Sequence, residues 1–274
     1  MADDYPTHIY GVDFSGAADA GKYIWITEGT WENGCLRITD CRPASQFLKT
    51  PPNRDITIPA LFEFIESQRY SVFGFDFPFG LPKSMVDGST WFRFATSFST
   101  RFPSIEEFDI NCHAASGGQE WKRLCDIEAK APFSPYNRRV MYQTYYGIRD
   151  LLEPLLLLGK ISVPPIHQAQ PDLPCLLEVC PAGMLKAVGL YKPPYKGRTR
   201  ANYDARSHIL KTLENSRSIT VPSLSLRDTI LSNTFGDALD SVLAAVITAK
   251  AITNPAYMDA KSGDPYCVEG YIYI

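Results

Sequence analysis

Along the first eighty residues the apolar positions run at strand period, switch to helical period and switch back. "HIYGVDF" (8–14) is a short, mostly apolar run with an acid near its end, and "YIWITEGTW" and "CLRITDC" flank Asn33-Gly34. Short apolar or alternating runs mark strands, and Asn-Gly is the two-residue hairpin signal. The chain is therefore expected to open with an antiparallel meander of three strands. In "ITIPALFEFIESQRY" the period becomes helical, with Ile58, Leu61, Phe62 and Ile65 spaced for one face and Pro59 suited to the first turn. "SVFGFDF" (71–77) returns to strand and stops at "PFGLP".

Residues 83–174 break this rhythm and are rich in aromatics and prolines. They read as a large, mainly helical insertion within a single domain spanning 1–274, because strand pattern resumes afterwards with "CLLEVCP". One helix is expected in "YNRRVMYQTYYGIRDLLEPLLLL", where Val140, Tyr145, Ile148, Leu151, Leu152 and Leu155 build an apolar face. "PAGMLKAVGL" reads as helix, and so does "TFGDALDSVLAAVITAKAI", with Asn233 or Thr234 as its cap. A short apolar "GYIYI" ends the sequence. The fold class is α/β: a mixed five-stranded sheet, its first three strands antiparallel, flanked by helices.

Acids interrupt these apolar elements at corresponding places. Asp13 ends the first strand, Asp76 the fourth, Glu178 sits within "LLEVCPAG", and Asp237 and Asp240 open the last helix. Positions 237, 240, 241 and 244 share one helical face of acids and small residues, while Leu239, Val242, Leu243 and Val246 form another. Each acid alone has a structural explanation: a turn former at Asp13, a cap at Asp76, an ion pair at Glu178, the helix dipole at Asp237 and Asp240. Together they suggest packed carboxylates, which repel one another unless cations neutralise them. Hard oxygen ligands suit Mg2+ or Mn2+, and such ions support displacement at phosphorus. If the strand order brings the ends of the first and fourth strands together, Asp13 and Asp76 adjoin, and the first turn of the last helix could face them.

Composition narrows the partners. The 274 residues are 45% hydrophobic with a net charge of −3, so a sizeable core is expected and a global basic excess is absent. Between Lys192 and Arg217, however, seven Lys and Arg face Asp204 and Glu214. Lys196, Arg198 and Arg200 from this segment, with Ser15 and Arg138, are the candidate substrate contacts, and Arg139, Tyr142 and Gln143 could line the same groove. The seven cysteines form no CxxC pair, and the four histidines are scattered. Neither a zinc site nor a disulfide framework is expected. No apolar run is long enough to span a bilayer, and "MADDYPTHIY" lacks the features of a leader, so a cytoplasmic protein is expected.

The motifs "GVDFSGA", "FGFDFPFGLP", "LEVCPAG" and "GDALDSVLAAVITA" resemble the domain-of-unknown-function 429 family, described as ribonuclease H-like nucleases. The resemblance implies a ribonuclease H-like fold and a metal-dependent nuclease acting on a nucleic acid. It carries the family's catalytic acids onto Asp13, Asp76, Glu178, Asp237 and Asp240, and with Asp240 favoured over Asp237 it implies Asp13, Asp76, Glu178 and Asp240 as the metal ligands. It adds Glu269 in "VEGYIYI" as a lesser candidate. Two other functions fit the residues: a catalytically silent binding module whose acids have internal partners, and an actin-like phosphotransferase with Asp13-Phe14-Ser15-Gly16 at the nucleotide phosphates.

Overall fold

A computed structural model describes residues 8–86, 90–167, 169–170, 172–254, 263 and 265–274. The segment "MADDYPT" and residues 87–89, 168 and 171 of the expected insertion lie outside them. The opening meander forms β1 (His8–Asp13), β2 (Trp25–Glu32) and β3 (Cys35–Pro43), with Asn33-Gly34 at the β2–β3 turn, both at positive φ. Helix α1 (Arg54–Ser67) then carries the chain to β4 (Ser71–Asp76), which lies parallel to β1. β5 (Cys175–Val179) extends the sheet parallel to β4.

The sheet has seven strands rather than five, in the order β6-β3-β2-β1-β4-β5-β7. The additions, β6 (Ile219–Thr220) and β7 (Ile272–Tyr273), are two residues long and pair parallel with β3 and β5. Two residues show no period, so a sequence pattern carries no signal for β6.

The two faces of the sheet bury different cores. On one, Tyr10, Val12, Phe73 and Phe75 pack with Ile58, Leu61 and Ile65 of α1. Trp91, Phe94, Phe98, Phe102, Phe108 and Tyr145, from the aromatic-rich middle, belong to the same apolar cluster. Within that middle, helix α2 (Met141–Gly147) runs into a π-turn at Ile148–Leu152 before helical bonding resumes at Glu153–Leu157. The expected continuous helix is thus three helical pieces.

On the other face, Ile9, Val72, Leu177 and Val179 pack against α6 (Asp237–Thr253). Between β5 and α6 the chain forms α3 (Pro181–Ala187), α4 (Arg200–Asn215) and α5 (Leu224–Ser232). α6 is buried over nearly its whole length, as expected of a helix that is apolar all round. Its axis comes close to the strands because β1 and β4 present glycines to it. A Cβ on Gly11 would lie 2.0 Å from the Ser241 carbonyl oxygen, and one on Gly74 would lie 1.9 Å from Thr248 Oγ1. The residue capping α6 is Gly236 at φ 89°, not Asn233 or Thr234. Among the described residues no helix is long and apolar enough to cross a membrane.

Candidate functional site

β1 and β4 pair in register, so that Gly11 faces Gly74, Val12 faces Phe75 and Asp13 faces Asp76. Because side chains alternate along a strand, both acids share the α6 face with Gly11 and Gly74. The close approach of α6 then sets its first turn beside the strand ends. Asp13, Asp76, Asp237 and Asp240 all line one cavity of about 680 Å³.

Burial pushes the Asp13 carboxyl well above the ordinary range, and the Asp240, Asp76 and Asp237 charges push it further, against the pull of Lys196. Asp76 is raised to about 7, first by burial and then by Asp240. Asp237 is raised to about 6, chiefly by burial. Neither the Asp13 nor the Asp76 carboxylate has a hydrogen bond or ion pair with a described residue; burial and through-space charge act on them. Asp13 is buried and Asp76 half-buried at the cavity, and carboxylates crowded there without donors are costly to ionise and invite a cation.

Asp240 is differently placed. The Tyr195 hydroxyl donates to its Oδ1 at 2.6 Å, and Lys196 Nζ lies 2.6 Å from its Oδ2. The Asp240 carboxylate holds the Lys196 ammonium above its usual range, and burial together with Asp240 raises the Tyr195 hydroxyl. The loop bearing these two residues is held from behind by Arg206 of α4. Its buried guanidinium donates to the carbonyls of Leu231 at 2.8 Å, Tyr195 at 2.6 Å and Gly197 at 3.0 Å. Part of the basic 192–217 segment is therefore a strut for the site, not an outward-facing surface.

Glu178 lines the same cavity, and its charge adds to those raising Asp76, but its carboxylate is engaged elsewhere. It pairs with Phe75, one position before Asp76, and so points to the opposite face of the sheet. There Arg123 Nη1 donates to its Oε2 at 2.9 Å, Nη2 contacts its Oε1, and the Phe79 amide donates at 2.9 Å. Burial raises the Glu178 carboxyl against the pull of Arg123. Arg123 also holds Asp126, with Nη2 2.7 Å from Oδ1. Glu178 thus lines the cavity as the ion-pair partner of a buried guanidinium, with both oxygens engaged. Glu269 is likewise engaged, accepting from the amides of Lys83 at 2.8 Å and Leu124 at 2.7 Å.

Of the candidate substrate contacts, Ser15 and Lys196 line the cavity, as do Arg139 and Gln143. Ser15 Oγ accepts from the Ala17 amide at 3.3 Å, and Gln143 donates through Nε2 to the Phe14 carbonyl. Arg138, Arg198 and Arg200 are exposed and do not line it. Arg200 instead pairs with Asp204 at 2.9 Å. Sequence reasoning missed Arg123, Asp126 and Tyr195, and the only available signal was a charged or polar residue inside an otherwise apolar or proline-rich stretch.

Among the described residues no group of three or more His, Cys, Asp or Glu is arranged to hold a metal ion. What fits a hard divalent cation is the pair Asp13 and Asp76, which offers unengaged carboxylate oxygens side by side. Asp240, which would complete a set of three, is held by Tyr195 and Lys196. No family model, no curated protein and no solved structure matches the chain.

Proposed function

We propose that the chain is a metal-dependent nuclease built on a ribonuclease H-like core, in line with its resemblance to the domain-of-unknown-function 429 family. The observation that carries the reading is the register of β1 and β4, which sets two unpartnered carboxylates, Asp13 and Asp76, side by side in a cavity. The order β3-β2-β1-β4-β5, antiparallel through β1 and parallel beyond it, supports the proposed fold.

In this reading Asp13 and Asp76 hold Mg2+ or Mn2+, with Asp240 the nearest further carboxylate and Asp237 beside it. A bound ion supplies an acidified water and charge stabilisation for displacement at phosphorus. The protein's own part is to crowd the acids at one cavity, so that their repulsion favours taking up a cation. Lys196 is the counter-charge they have without one, and its half-exposed side chain can leave Asp240 for solvent. Tyr195 and Arg206 keep the loop in place while it does so.

The Lys196–Asp240 pair also supports a second reading, a catalytically silent nucleic-acid-binding module in which the ammonium neutralises the acids permanently. The test incubates the full chain with labelled single-stranded, duplex, hybrid and branched substrates in Mg2+ or Mn2+. The nuclease reading expects cleavage that chelation stops and that Asp13→Asn or Asp76→Asn abolishes. Binding without cleavage in any metal supports the silent module.

A further inference from the structure

The cavity is ringed by aromatic and basic groups that the carboxylate chemistry does not use. On one side Tyr23, at the end of the short helix following β1, meets Phe235, just ahead of α6, with centroids 6.3 Å apart and planes at 86°. Both line the cavity, and both are open to solvent, at 39% and 55% exposure. An edge-to-face contact covers at most one of the four ring faces, so three remain free of the partner ring. In the same lining Arg139 lies over Phe133 at 5.4 Å, and Lys192 stands exposed.

Exposed large aromatics carry a cost in water, and here they share one cavity with exposed cations and with two acids that suit a metal ion. A phosphate chain with unstacked bases satisfies all three: a base face for the rings, phosphates for Arg139 and Lys192, and a scissile group near Asp13 and Asp76. In a duplex the base faces are already covered by their neighbours. The cavity, at about 680 Å³, is on the scale of a small-molecule pocket, not of a groove for a double helix.

Resting on the nuclease reading above, we propose that this site takes a single-stranded nucleic acid and that Tyr23 and Phe235 form the platform on which an unpaired base stacks. Stacking of this kind tolerates any base, so the strand is selected for being unpaired and not for its sequence.

The test is fluorescence anisotropy on the full chain in EDTA, where binding is read without cleavage. The probes are labelled DNA and RNA strands of about twelve nucleotides and the corresponding duplexes. The expected result is single-strand binding at least about tenfold tighter than duplex binding, weakened about tenfold by Phe235→Ala and by Tyr23→Ala. Phe235→Trp and Tyr23→Phe should retain it. The DNA and RNA arms identify which sugar the site prefers. Thermal melts establish that the variants fold, as expected for exposed positions. Equal binding of duplex, or alanine variants that bind the single strand like the parent, overturns the proposal. Failure of the nuclease reading is seen separately: strand binding with this aromatic dependence, but no metal-dependent cleavage, removes the catalysis and leaves the platform.

Discussion

At the scale of single residues, the acids on the floor of the cavity set a pH dependence. Asp76 titrates at about 7 in the folded protein against an ordinary 3.8, so the folded state holds its proton more tightly than the unfolded chain does. Its contribution to stability is full below pH 4 and is lost as pH rises to 7 and beyond. Asp76→Asn is therefore expected to raise Tm at pH 8, by about 2–4 °C for each kcal/mol of strain relieved, and to leave Tm at pH 4 nearly unchanged. Thermal melts across that range check it, and a variant less stable than the parent at pH 8 contradicts it. Affinity for Mn2+ should rise over the same interval, because the cation needs the deprotonated acids. Lys196→Met removes the ammonium on Asp240. It is expected to lower Tm in chelator at pH 8 and to enlarge the rise in Tm that Mn2+ produces. A Mn2+ response equal to the parent's would show that Lys196 and the ion do not compete.

At the scale of elements, the site depends on how closely α6 approaches β1. Gly11→Ala would drive a methyl group to 2.0 Å from a backbone oxygen of α6, where no side chain can yield. The expected cost is about 2–4 kcal/mol in denaturant unfolding, with a weakened Mn2+ response as Asp240 is carried away from Asp13. The Arg123–Glu178 pair, on the opposite face of the sheet, is expected to behave differently. Arg123→Ala leaves Glu178 and Asp126 buried without their cation and should cost about 3–5 kcal/mol. A loss below 1 kcal/mol in chemical unfolding would argue that water reaches these acids.

Elements also set how much could be read from the chain. The meander, α1 and β4 were legible because alternation and the Asn-Gly turn are local signals, whereas the adjacency of Asp13 and Asp76 rests on β4 pairing with β1, a long-range contact that no local pattern fixes. Glu178 was not legible as an ion-pair partner. "CLLEV" is a nearly continuous apolar run, buried on both faces, so its pattern does not say which way the glutamate points. The partner that would have decided it, Arg123, lies 55 positions away in the stretch without period. The π-turn at Ile148–Leu152 was hidden for a related reason, since one wider turn leaves an apolar helix face almost unchanged.

At the scale of the whole molecule, one sheet carries two unlike cores and ends in a cavity that draws on both. The face under α6 supplies Asp13 and Asp76, the face under α1 and the aromatic-rich middle supplies the Arg123 network, and the loop before α4 supplies Tyr195 and Lys196. The cavity lining mixes both charges, with Arg139, Lys192 and Lys196 exposed beside the acids. The central claim is that Asp13 and Asp76 hold a divalent cation, and diffraction from Mn2+-soaked crystals at the manganese edge reads it directly. An anomalous peak is expected between the two carboxylates, with Lys196 withdrawn from Asp240. An empty Asp13–Asp76 pair at saturating Mn2+, with Lys196 still seated on Asp240, would contradict it.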